Sequence, residues 1–144
     1  MRRAEAKDLL AAGDLKTAQD FRDAAFIFQH GDNPDDYLLA HILATDAVVK
    51  GDASSKWIVA ATLDRYLQAI GQKQVFGTQT LSKGYSFLVQ HRQDPNAMKQ
   101  PQANERGYTQ EPFDQTLVSD SLRSDFGVPG LAAQAKKLSE MKDE

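Results

Sequence analysis

Apolar positions recur at helical spacing through the first half of the chain, and glycines interrupt them at near-regular intervals. Gly13, Gly31, Gly51 and Gly71 stand 18, 20 and 20 residues apart, leaving stretches of helical length between them. Glycine suits the left-handed conformation just past a helix C-terminus. The pattern therefore predicts four helices in residues 1–71, arranged as repeat-like helical hairpins. In the first, Arg3 to Ala12, one face carries Ala6, Leu9 and Leu10. The second runs from Thr17, a suitable N-cap with Asp20 in the first turn, to Gln29. Its centre, Ala24 to Phe28, is apolar all round and predicts a central helix. The third has Asn33 as cap, Pro34 at the first helical position, and Asp35 and Asp36 in its positive first turn. It stops at Lys50-Gly51. The fourth is expected to be capped by Ser54 or Ser55 and carries Val59, Leu63, Tyr66 and Ile70 at helical spacing.

After Gly71 the pattern changes. Val75 to Leu81 and Tyr85 to Val89 read as two strands around the turn Ser82-Lys83-Gly84, a small β-hairpin at about 74–90. Such a hairpin is marginal alone and must lean on the helices. Residues 91–110 are rich in Gln, Asn, Pro and Lys and read as a long polar loop. A C-terminal helical segment follows at about 117–142. Ser119 and Asp120 start a short helix through Phe126, and Gly127 ends it. Pro129 opens a last helix from Gly130 to Met141, and the chain end should fray. The expected fold is mainly α, in one domain of 144 residues, long enough to close a hydrophobic core.

Composition narrows the functional classes. The formal net charge is −3, so no global basic field attracts nucleic acid. There is no cysteine, which excludes disulfides and thiolate chemistry. No apolar run approaches the roughly 20 residues of a membrane helix, so no membrane role is expected. The N-terminal residues lack the apolar core of a signal peptide. The chain is then cytoplasmic, or an exported protein whose signal segment lies outside it. No cofactor is called for, and nothing in the pattern sets an oligomeric state.

Four polar groups could carry chemistry. In QHGD, His30 falls at a helix end two residues before Asp32. The pair serves either as a helix cap with a loop carboxylate, or as a proton-transfer pair in which the carboxylate orients the imidazole. His41 lies among Leu39, Ala40, Ile42 and Leu43, as a hydrogen-bonded core residue or a ligand-binding one. Asp64 and Arg65 sit mid-helix. They form a structural ion pair or helix edge, or else a base and an anion anchor. In QVFGTQ, Gln74, Thr78 and Gln79 flank Gly77, where side-chain amides either hold a small polar or peptide ligand or tie the hairpin down. His30, Asp32, His41 and His91 have no recognised metal-ligand spacing, so no metal site is expected.

The stretch from QHGD through LLAH to ATLDRYLQAIGQKQVFGTQ resembles a family of uncharacterised bacterial domains. That family carries a Gln-His-x-Asp element, an Asp-Arg pair on a helix and a Gln-x-x-Gly-Thr-Gln element. Here these fall on Gln29, His30 and Asp32, on Asp64 and Arg65, and on Gln74, Gly77, Thr78 and Gln79, within residues 20–80. The resemblance implies a bacterial source and a shared polar site, and it transfers no reaction.

Two functional readings follow. In the first, the three elements converge in a polar pocket that binds a small molecule or peptide. If that pocket is catalytic, His30 or Asp64 is the base of an acid–base hydrolase or transferase, with Asp32, His41, Arg65, Gln74, Thr78 and Gln79 binding the ligand. In the second, the helices form a protein-interaction module and the polar residues brace the fold.

Overall fold

Capping chemistry sets where the helices begin. The computed structural model describes residues 2–141. Of the end expected to fray, residues 136–144, the stretch 136–140 is helical and 142–144 lie outside the described residues. After α1 (Arg2–Ala11), Thr17 Oγ1 accepts from the Asp20 N–H at 3.1 Å and the Asp20 carboxylate accepts from the Thr17 N–H at 3.0 Å. This reciprocal box starts α2 (Ala18–Gln29), and losing such a cap costs about 1 kcal/mol. Asn33 Oδ1 accepts from the Asp36 N–H at 3.0 Å and starts α3 (Pro34–Val49), with Pro34 in its first turn. The start of α4 (Lys56–Ala69) departs from expectation. Asp52 supplies the cap, accepting from the Ser54 N–H at 3.0 Å and the Ser55 hydroxyl at 2.9 Å, and a 3₁₀ turn at Ala53–Ser55 leads into the helix. The carboxylate takes the cap because it carries charge and accepts from three donors at once, the Ser54 N–H and both serine hydroxyls.

The chain divides into two compact units, Met1–Tyr66 and Leu67–Glu144, with the division inside α4. In the first unit, Phe28, Leu43 and Ile58 are buried among small residues, including Ala25, Ala40, Ala44 and Ala61. Alanine at facing positions lets helices approach closely. The centre of α2 is less enclosed than its composition suggests. Ala24, Ala25 and Phe28 are buried, but Phe26 and Ile27 are only half-buried. Gly13, Gly51 and Gly71 take positive φ at helix ends, as the spacing predicts, while Gly31 does not. At Gly31 the constraint is space: a Cβ there would lie 2.7 Å from Cγ of Asp36.

In the second unit a small two-stranded antiparallel sheet is present, but its pairing differs from the expected hairpin. β1 (Leu81–Ser82) pairs with β2 (Tyr108–Thr109), Leu81 opposite Thr109 and Ser82 opposite Tyr108. Tyr85 to Val89 belong to a helix, α5 (Lys83–Gln90), started by Ser82 Oγ accepting from the Tyr85 N–H at 3.2 Å. Short runs of aromatic and β-branched residues do not decide between helix and strand by themselves. Tertiary contacts decide here. Gly84 is buried where any side chain would collide with the Ala103 carbonyl, and the Ser86 hydroxyl donates to the Glu111 carbonyl. The segment after Gly71 pairs elsewhere as well. Gln74 forms a single parallel bridge with Phe113, donating its N–H to the Pro112 carbonyl at 3.1 Å and accepting from the Asp114 N–H at 2.9 Å. Residues 91–110 hold two 3₁₀ turns, Ala97–Lys99 and Pro101–Asn104, before β2. Two short helices close the described chain: α6 (Asp120–Asp125), capped by Ser119, and α7 (Leu131–Glu140), preceded by Gly130. Among the described residues no helix is long and apolar enough to cross a membrane.

The caps predict how stability depends on pH. Backbone hydrogen bonds from Thr17 and Lys16 hold the Asp20 carboxyl below the usual carboxylate range, and the hydroxyls of Ser54 and Ser55 do the same for Asp52. A carboxyl depressed in the folded state contributes stability above its unfolded pKa and loses it as pH falls through the folded value. The melting temperature should therefore hold down to about pH 5 and then decline. Asp20→Asn should lower it at neutral pH and flatten the acid decline. Equal acid sensitivity in that variant would refute the assignment.

Candidate functional site

The residues singled out in the sequence fall into both units. His30, Asp32, His41, Asp64 and Arg65 belong to the first; Gln74, Thr78 and Gln79 belong to the second.

In the first unit, QHGD forms the junction between α2 and α3. His30 is the C-cap of α2, and its side chain is exposed. Asp32 does not orient it. Its carboxylate is instead held by Arg3, with Nη1 to Oδ1 at 2.9 Å and Nη2 to Oδ2 at 3.3 Å. Those hydrogen bonds keep the Asp32 carboxyl below its usual range and the Arg3 guanidinium above its own. Arg3 Nη1 also reaches buried Asp36 at 2.6 Å. Asp36 is further bound by the Asn33 amide at 3.2 Å and the Asp32 N–H at 3.3 Å. Arg65 joins the same junction, donating from Nη1 to the Gln29 carbonyl at 2.9 Å, with its guanidinium 5.7 Å from the Tyr37 ring centre. The Tyr37 hydroxyl donates to the Gly31 carbonyl at 2.9 Å. QHGD and Arg65 thus come together, as structural bonds of Arg65 to the backbone of α2. Asp64 is fully buried, a position in which a carboxylate needs hydrogen-bonding partners. His41 lies elsewhere, with Nδ1 3.0 Å from the Val59 carbonyl.

Two open grooves mark this unit. One, of about 670 Å³, is lined by Arg2, Arg3, Asp23, Phe26, Ile27 and His30. Asp23, Phe26, Ile27 and His30 are spaced i, i+3, i+4, i+7 along α2, one helical stripe. The other, of about 510 Å³, is chiefly apolar and includes Leu10, Phe21, Leu39, His41, Ile42 and Val49. In the sequence Arg2 and Arg3 are few and terminal, and nothing local marks them as part of a site. The stripe on α2 is the signal for the rest of the first groove, hidden because the whole AAFIF run reads as core.

In the second unit QVFGTQ is a tightly bonded turn. The Gln74 side chain, fully buried, donates to the Gln79 and Gln110 carbonyls at 2.9 and 2.5 Å and accepts from the Gln79 N–H at 3.0 Å. Gln79 Nε2 donates to Thr78 Oγ1 at 3.1 Å. Three further side chains bind the same turn. Arg123, fully buried, donates from Nε to Phe76 O at 3.0 Å, from Nη2 to Val75 O at 3.3 Å and from Nη1 to Val118 O at 2.6 Å. Gln134 donates to Phe76 O at 3.0 Å, and Gln110 donates to Gly77 O at 2.9 Å. Gly77 has φ of +86°, and a Cβ there would stand 2.6 Å from Cζ of Phe113. Among the described residues no group of three His, Asp or Glu side chains is placed to hold a metal.

Arg123 is the part of this turn most sensitive to substitution. Its removal takes hydrogen bonds from the carbonyls of Val75, Phe76 and Val118, and a buried carbonyl left short of a donor costs about 1–3 kcal/mol. Arg123→Met should destabilise the second unit by about 2–4 kcal/mol, the scale of a few lost hydrogen bonds from a charged donor to buried carbonyls. Urea denaturation followed by hydrogen exchange at residues 75–79 measures it. Unchanged protection would remove Arg123 from this role.

Comparison with known proteins finds no matching family model, and neither a curated protein nor a solved structure that is similar.

Proposed function

We propose that the protein is a binding protein and that its site is the groove along α2. The observation that carries this reading is that His30 lies exposed in an open groove, over the half-buried side chains of Phe26 and Ile27. A volume of about 670 Å³ falls within the size range of sites for small ligands. A small molecule or a short peptide fits these dimensions. The other candidates favour structural roles. Asp32 is committed to Arg3, Arg65 to Gln29, and Gln74 and Gln79 to their own turn. Acid–base catalysis is correspondingly less supported than binding. A base at His30 needs an orienting group, and Asp32 is spent elsewhere.

Ligand-observed and protein-observed NMR on the full chain tests this reading with a library of small molecules and short peptides. Hits should shift the resonances of Phe26, Ile27 and His30. Ile27→Trp, which fills the groove from a half-buried position, should weaken those hits at least about tenfold, roughly the loss of one good apolar contact. Hits that bind elsewhere, or that ignore Ile27→Trp, would sink it.

A second reading, a protein-interaction module, is favoured by the apolar groove beside His41. There Ile42 and Val49 are 55% and 77% exposed on α3, spaced so that both lie on one side of that helix. An amphipathic helix of a partner protein is the matching shape. Under this reading Ile42→Asp abolishes co-purification of such a partner and Ile27→Trp does not. The reverse result would return the function to the groove along α2.

A further inference from the structure

The groove along α2 has a chemical direction, and that direction specifies its ligand more closely than its volume does. Resting on the function proposed above, we infer that it takes a short extended peptide carrying a carboxylate at one end, an ammonium at the other and an apolar middle.

The inference rests on the order of groups along the groove. Asp23 lies at one end of the stripe, Phe26 and Ile27 in the middle, and His30 at the other end. Seven residues of α-helix separate Asp23 from His30, about 10 Å along the axis. Arg3, in the first turn of α1, binds Asp32 just beyond the end of α2. The start of α1 therefore lies at the His30 end, and it brings Arg2 there. One end offers a guanidinium and an imidazole, and the other offers a carboxylate.

The groups at each end keep bonding capacity for a ligand. The charge of Arg3 is balanced by Asp32 and Asp36, so Arg2 and His30 are the groups that face a ligand anion. Asp23 accepts one hydrogen bond, from Gln19 Nε2 at 2.7 Å. An ionised carboxylate has about four acceptor positions, so it can still receive an ammonium. Between the ends, Phe26 and Ile27 line the groove half-buried; the Arg22 guanidinium lies 5.0 Å from the Phe26 ring centre, and Ile27 with the rest of that ring suits an apolar side chain. An extended peptide advances about 3.3–3.6 Å per residue, so about three residues span the groove. A dianion fits poorly, because Asp23 and the Asp32–Asp36 pair keep the surrounding field from being strongly positive.

The charges can come from the free termini of a peptide or from acidic and basic side chains within a longer segment. Four probes separate these sources by amide-resolved NMR titration of the full chain: trileucine, N-acetyl-trileucine, trileucine amide, and acetyl-lysyl-leucyl-glutamyl amide. Trileucine should shift Phe26 and Ile27. Acetylation should weaken it about fivefold, the scale of one exposed ion pair, in the unsubstituted protein and not in Asp23→Asn. Amidation should do the same in the unsubstituted protein and not in Arg2→Gln. Asp23 and Arg2 are both exposed, so neither substitution threatens the fold. Tight binding by the capped peptide assigns the charges to side chains, and its failure beside trileucine assigns them to free termini. Equal binding of all four probes, unaffected by Asp23→Asn and Arg2→Gln, would overturn the inference and leave the groove as an unspecific apolar site. No shift at Phe26 or Ile27 from any probe overturns it as well, while library hits at Ile27 would still uphold binding in the groove.

Discussion

A buried carboxylate with no room to spare organises the first unit. Asp36 sits in the first turn of α3, where the helix dipole favours a negative charge. It is nearly inaccessible to solvent, and such a charge is tolerated only when donors surround it. Arg3, Asn33 and the Asp32 N–H provide them. The arrangement has two consequences. Gly31 must lack a side chain, because Asp36 occupies the space a Cβ would take. And α1 must place Arg3 over the junction of α2 and α3, which brings Arg2 into the lining of the groove along α2. A single electrostatic requirement thus locates the turn, docks a helix and brings the start of α1 to the candidate site.

The second unit meets a comparable requirement with the opposite charge. Arg123 is fully buried, and most of its hydrogen bonds go to main-chain carbonyls. Its one carboxylate contact, Asp120 at 3.2 Å, is itself largely exposed. The guanidinium is therefore stabilised chiefly by aligned backbone dipoles, a role for which its planar fork of five donors is suited. The glutamines act alongside it. The QVFGTQ segment makes few sheet bonds, so its carbonyls must be satisfied by side chains. Amides in such a turn look like ligand-binding groups in a sequence and act as main-chain partners in the fold.

Signals that act over a few residues were legible in the sequence. Thr17 with Asp20, Asn33 with Pro34, and Ser119 each satisfy the backbone N–H groups beside them, and each starts the helix expected of it. Ser82 shows the limit of such signals. It reads as part of a turn between strands, yet it caps a helix, because Gly84 and Ser86 meet Ala103 and Glu111 on that helix's inner side. Asp52 shows another: a carboxylate and two hydroxyls stand within four residues, and the choice of cap follows from which group accepts from the most donors.

By itself the sequence determined a mainly helical chain, the starts of α2 and α3, and the polar residues worth testing, since each follows from local hydrogen bonding or from apolar periodicity. Only the tertiary structure decided which strands pair, that Arg65 and Gln74 bind backbone, and that Arg2 and His30 share a groove with Asp23. Those outcomes depend on groups far apart in the chain competing for the same donors and the same space, and no local pattern records that competition.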